Sequence, residues 1–169
     1  MLNFIITQSY EEMSALAARR VAKALARKPD LVMALPTGGT PVGLLAEMSR
    51  MAQEKEADFS RAFSFNIDEY IPLKKDDPQS YYWFLDHHFY QHANVPPENR
   101  FVPDVLAKDL NEECARYERA IVDHGDFDMT VLGIGHDGHI GFNEPQATHS
   151  PVCHVINLNE ETIEANARF

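Results

Sequence analysis

Apolar positions recur along this chain in two alternating rhythms. Met13, Leu16, Ala17, Val21, Ala24 and Leu25 return at helical spacing, with Arg19, Lys23 and Arg27 on the opposite side, which predicts a helix after Ser9. Ser9-Tyr10-Glu11-Glu12 reads as its capping box, the Ser9 hydroxyl and the Glu12 carboxylate each accepting an otherwise unpaired N–H. Lys28-Pro29-Asp30 stops the helix. Leu31-Val32-Met33-Ala34-Leu35 is then a continuous apolar run of strand length, the pattern of a parallel strand covered on both faces. A loop follows, Pro36-Thr37-Gly38-Gly39-Thr40-Pro41. Thr40 is the expected N-cap and Pro41 the first residue of a second helix carrying Leu44, Leu45, Met48 and Met51.

The alternation continues to the end of the sequence. Phe63, Phe65 and Ile67 share one face of a strand pattern, with Ser64, Asn66 and Asp68 on the other. Residues 80–92 read as an aromatic-rich helix, 95–99 as a loop, and 110–122 as an amphipathic helix closed by Gly125. Residues 129–132 form a strand pattern. Phe4-Ile5-Ile6 and His154-Val155-Ile156 are shorter strand patterns, and Asn159 caps a last helix. Repeated βα units imply one α/β domain over residues 1–169, a Rossmann-like, open, mostly parallel sheet with helices on both faces and right-handed crossovers.

Charge narrows the range of partners. Fifteen basic against 26 acidic side chains leave a net charge of −11, which argues against nucleic acid or an anionic membrane surface. An anionic ligand must therefore be held locally, by backbone N–H groups and a few placed cations. No apolar stretch is long enough for a bilayer span, and the opening residues lack the basic region of a signal peptide. Cys114 and Cys153 form no CxxC or metal-type spacing, so a cytoplasmic enzyme with reduced thiols is expected.

Three polar segments follow predicted strands, where ligands bind in open α/β sheets. In Thr37-Gly38-Gly39-Thr40-Pro41, two glycines permit a tight turn with bare N–H groups ahead of a helix N-terminus, and two threonines add hydroxyls. The segment suits a phosphate but lacks the GK[ST] ending of a nucleotide P-loop, and it also reads as a plain βα turn. In Asp68-Glu69-Tyr70, repulsion from Glu69 would raise the Asp68 pKa, which suits a proton-transfer base; a solvated acidic turn is the bland alternative.

The third segment is Gly133-Ile134-Gly135-His136-Asp137-Gly138-His139-Ile140-Gly141-Phe142-Asn143-Glu144-Pro145. It matches GxGxxG, but no helix pattern follows and Pro145 interrupts, so a dinucleotide site is not expected. Histidines among carboxylates suit general acid–base catalysis, with a metal site as the competing use. The aromatic residues Tyr81, Tyr82, Trp83, Phe84, Phe89 and Tyr90 read as core or subunit interface, so a homo-oligomer is a further expectation. His87, His88 and His92 read as packing or surface histidines.

With these segments in hand, the chain resembles the glucosamine-6-phosphate deaminase (isomerase) family. Residues 35–41, 65–70, 133–145 and the closing Ala165-Asn166-Ala167-Arg168-Phe169 carry the resemblance, in the family's order and spacing. It implies that Asp68 moves a proton between C2 and C1 of the sugar. It implies further that His139 is the ring-opening acid–base, with Asp137 and Glu144 as its carboxylate partners. Thr37, Gly38, Gly39, Thr40, Gly135 and Arg168 would contact the substrate and its phosphate. The implied products are fructose 6-phosphate and ammonia, with no metal or organic cofactor.

The family's chains continue past the Asn-Ala-Arg-Phe motif and supply a further lysine for the phosphate, so a domain lacking its C-terminal part is expected here. Allosteric members carry basic residues after Asn-Glu-Pro. Residues 146–158 hold no Lys or Arg, which points to the non-allosteric branch. Three alternatives stand beside this reading: a 6-phosphogluconolactonase, a deaminase for the galactosamine epimer, and a non-catalytic sugar-phosphate-sensing domain of a transcription regulator. Asp68-Glu69-Tyr70 and Asn143-Glu144-Pro145 favour the deaminase over the lactonase, and a sensor would not need Asp68, His139 and Glu144 together.

Overall fold

A computed structural model of the protein describes residues 2–135, 137–143, 150–158 and 162–163. Helix α1 (Tyr10–Arg27) starts at the Ser9 cap, whose side chain accepts the N–H of Glu12. The reciprocal bond reaches one residue further than a capping box would, because the Glu12 carboxylate accepts from the Gln8 N–H at 2.7 Å. Strand β1 (Val32–Leu35) is buried at every position. Helix α2 (Val42–Gln53) then begins one residue later than expected, with Pro41 already in helical geometry as N-cap and no side-chain cap. Thr40 is therefore not the cap; its carbonyl accepts from the Tyr10 hydroxyl at 2.9 Å.

Strand β2 (Phe63–Asn66) and the short β3 (Arg100–Phe101) and β4 (Met129–Thr130) complete a four-stranded sheet of order β3-β2-β1-β4. All three pairings are parallel. Met33 and Leu35 pack with α1 and α2, whereas Val32 and Phe65 meet Tyr117 of α4 (Leu110–Asp123) from the other side. Helices thus cover both faces, as the unbroken apolar run of β1 requires. For the same reason the polar face of β2 is not solvated: Ser64 and Asn66 are buried with Phe65, and Ser64 bonds the Tyr90 hydroxyl at 2.8 Å.

The aromatic helix is shorter than its pattern. It comprises α3 (Tyr81–Leu85) and a π-helical turn over Asp86–Tyr90, closed by Gln91 N–H donating to Asp86 at 3.0 Å. The wider turn lets consecutive Phe89 and Tyr90 both point inward. Phe4-Ile5-Ile6 and His154-Val155-Ile156 form no strand, since no partner strand meets them among the described residues; Phe4 and Ile6 stay exposed. Asn159 lies outside the described residues. No helix among the described residues is long and apolar enough to cross a membrane.

Candidate active site

The three polar segments emerge side by side because their strands are neighbours. Leu35 at the end of β1 lies opposite Asn66 at the end of β2. On the other side of β1, Val131 N–H donates to Ala34 at 3.0 Å, so the chain leaving β4 departs from the same edge. Each loop therefore opens at the carboxyl end of the sheet.

The first loop turns on Gly38, whose φ of +93° is open to glycine but strained for other residues. Tyr10 anchors it from behind, donating to the Thr40 carbonyl and accepting the Gly43 N–H at 2.7 Å. Among the described residues, the N–H groups of residues 37–40 are engaged in no hydrogen bond. Free N–H groups ahead of a helix, with two threonine hydroxyls, can receive an anion.

In the second loop Asp68 is half-buried, and its carboxyl is pushed up to about 7. Burial is the larger cause and the charge of Glu69 the smaller, so the expected repulsion is present but secondary. Glu69 is itself bound. One carboxylate oxygen accepts the N–H groups of Tyr70 and Tyr81 at 2.9 and 2.8 Å, and the other that of Tyr82 at 2.8 Å. It is thus no solvated acid; it ties the strand end to the start of α3. The buried Asn66 amide, two residues before Asp68, has no hydrogen-bond partner for either polar atom among the described residues.

In the third loop, Gly135 N–H donates to the His139 carbonyl at 2.9 Å, and Gly138 N–H to the Gly135 carbonyl at 3.0 Å. This tight fold lays the His139 ring against Gly135, where a methyl group would overlap the ring. Asp137 holds the imidazole, with Oδ1 2.6 Å from Nδ1. The backbone N–H of His139 also donates to Asp137, and these contacts keep the Asp137 carboxyl below the usual range. An imidazole held at Nδ1 leaves Nε2 to exchange a proton with a ligand.

Contacts join the loops to one another. A Cβ at Gly141 would stand 3.3 Å from Asp68 Oδ2 and 3.1 Å from Ile67, so loop three rests directly on the carboxylate. Phe142 packs on Tyr70 and Tyr81, with ring centroids 4.9 and 5.6 Å away. The structure therefore brings together Asp68, Asp137, His139, Gly135 and Thr37–Thr40 along one edge of the sheet. Glu144, Arg168 and His136 lie outside the described residues. No group of three or more His, Cys, Asp or Glu side chains is placed to hold a metal among the described residues.

Tyr81 is the residue that the sequence pattern misplaced. Its aromatic neighbours Phe89 and Tyr90 are core, but Tyr81 contacts all three loops. Its position directly after Ser80, which caps α3 by accepting from Trp83 at 3.0 Å, was the available signal. The first residue of a helix facing a strand end is placed to meet a ligand.

The sequence matches the family described as glucosamine-6-phosphate isomerases and 6-phosphogluconolactonase over residues 7–160. It is 47% identical over 168 residues to a glucosamine-6-phosphate deaminase of Clostridium perfringens, covering 99% of this chain and 69% of that one. A glucosamine-6-phosphate deaminase of a Thermoanaerobacter species is also 47% identical, with 66% of its length covered. Among solved structures, a monomeric glucosamine-6-phosphate deaminase superposes with a TM-score of 0.95 at 43% identity, over 99% of this chain and 69% of that one. A 6-phosphogluconolactonase of Thermotoga maritima shares the fold, with a TM-score of 0.69 at 24% identity.

Proposed function

Because this chain belongs to the glucosamine-6-phosphate isomerase/6-phosphogluconolactonase family, we propose that it carries the active-site face of a glucosamine-6-phosphate deaminase. The observation that supports this most directly is the meeting of loops two and three. A carboxylate with its pKa near neutrality lies against the loop that holds a carboxylate-oriented histidine. Such a pair divides the work of an amino-sugar isomerisation. His139 handles the proton of ring opening, and Asp68 moves the C2 proton to C1 through an enolamine. Water then hydrolyses the imine at C2, giving fructose 6-phosphate and ammonia. The free N–H groups of residues 37–40 receive the phosphate. Glu144 and Arg168 join this scheme as a second carboxylate for His139 and a cation for the phosphate.

This reading is tested by ammonia release from three sugars. Glucosamine 6-phosphate is expected to yield ammonia, and unphosphorylated glucosamine to yield little at the same concentration, because the cradle anchors only the phosphorylated sugar. Equal turnover of both would remove the phosphate assignment. Faster turnover of galactosamine 6-phosphate would reassign the epimer. The experiment is made on the chain as it stands and on the same chain extended by the C-terminal third of the Clostridium perfringens relative, so that activity is tied to the described loops.

A further inference from the structure

Tyr81 stands at a junction that neither packing nor the proton-transfer steps explain. Its backbone N–H is held by Glu69 Oε1 at 2.8 Å, which fixes the start of α3 against the loop bearing Asp68. Its hydroxyl donates to the Tyr70 hydroxyl at 3.1 Å and also interacts with the Thr37 side chain, in the phosphate-type loop. Its ring packs on Phe142 of the histidine loop, with centroids 5.6 Å apart. One side chain thereby touches all three loops, and loop two a second time through Glu69.

We propose that Tyr81 is a positioning residue that fixes the distance between the phosphate-binding loop and the proton-transfer carboxylate, and so selects the span of the substrate. This rests on the deaminase reading of the site for the identity of that substrate. A hexosamine 6-phosphate joins its anchor and its reacting carbon by a short carbon chain. Once the phosphate is seated, C2 reaches Asp68 only if Thr37 and Asp68 keep their separation. Thr37 lies on the loop after β1 and Asp68 on the loop after β2. The link runs through Tyr81, from its hydroxyl at Thr37 to its backbone at Glu69, the residue next to Asp68.

Two features suit Tyr81 to this task. Burial, with the Tyr70 hydrogen bond, holds its hydroxyl far above the usual tyrosine range, so it stays a neutral donor and does not compete with Asp68 for the proton. Its hydroxyl also serves both neighbours at once: the proton goes to Tyr70 and the oxygen accepts from Thr37, so the tie to the first loop persists while the N–H groups of that loop receive the phosphate.

The test is calorimetric binding of glucosamine 6-phosphate and of inorganic phosphate to the wild-type chain, Tyr81→Phe, Thr37→Val and the double variant. Phenylalanine keeps the ring on Phe142 and the backbone on Glu69, and removes only the hydroxyl. Loss of one neutral hydrogen bond predicts about fivefold weaker binding of glucosamine 6-phosphate by Tyr81→Phe. Inorganic phosphate, which has no second end to place, should weaken less than twofold. The double variant should bind glucosamine 6-phosphate no more weakly than the worse single variant, since Tyr81 acts through Thr37. In turnover the KM should rise while the pH profile stays in place, which general damage to the site would not produce. Equal weakening for both ligands, unchanged binding, or fully additive losses would each overturn the proposal. A wild-type chain that binds glucosamine 6-phosphate but releases no ammonia would defeat the deaminase reading instead, and the binding cycle would still decide the role of Tyr81.

Discussion

Asp68→Asn is expected to abolish exchange of the C2 proton with solvent while leaving sugar-phosphate binding nearly intact. The amide fills the same place against Gly141 but cannot accept a proton. Loss of a general base costs about 10²–10⁴-fold in rate. Incorporation of solvent deuterium into fructose 6-phosphate measures the step directly, and near-normal incorporation by the variant would exclude Asp68 as the base. The wild-type protein carries a matching signature in its pH profile. Burial lifts this carboxyl to about 7, so its protonated form predominates below that pH and its basic form above it. The rate should therefore rise with pH along an acid limb centred near 7, instead of reaching its plateau near pH 4 as an unperturbed aspartate would.

His139→Gln should impair the cyclic sugar far more than an analogue held in its open-chain form. The substitution removes the group that carries the ring-opening proton and leaves Asp68, which serves the later C2–C1 transfer, untouched. The loss on the cyclic substrate should again be about 10²–10⁴-fold. Asp137→Asn should follow the same pattern, because an amide can present an N–H to Nδ1 and so reverse the orientation that the 2.6 Å contact imposes. Parallel kinetics on the two sugars decide the matter: equal impairment of both would mean that His139 does not act in ring opening.

Much of this site could be read from the order of residues, and the failures have physical causes. Leu31–Leu35 announced a strand covered on both sides, and β1 is one. The strand-end loops declared themselves through glycines and charged residues that a buried element would not carry. Alternation left one point open at β2, because a period of two shows which residues share a face but not whether that face meets water. There Tyr90 covers the polar side. The role of Glu69 was only half legible: its charge beside Asp68 is visible in sequence, but two of its three N–H bonds depend on α3 folding back from twelve and thirteen residues away. The apolar run at residues 4–6 has strand composition, yet a strand exists only where a neighbouring strand offers its hydrogen bonds.

The contact between Gly135 and His139 bears on how the protein can fail. Gly135 lies in a partly exposed loop outside the hydrophobic clusters, so the rest of the fold makes little demand on it. An alanine there runs first into the imidazole, which must swing away. Gly135→Ala should therefore keep soluble yield and melting temperature near those of the wild type while activity collapses, a pairing that thermal melts and ammonia assays on one preparation would reveal. Most damaging substitutions act by lowering stability, and cells clear the products. This one would escape that clearance, leaving a folded, abundant and silent protein that still competes for its sugar phosphate.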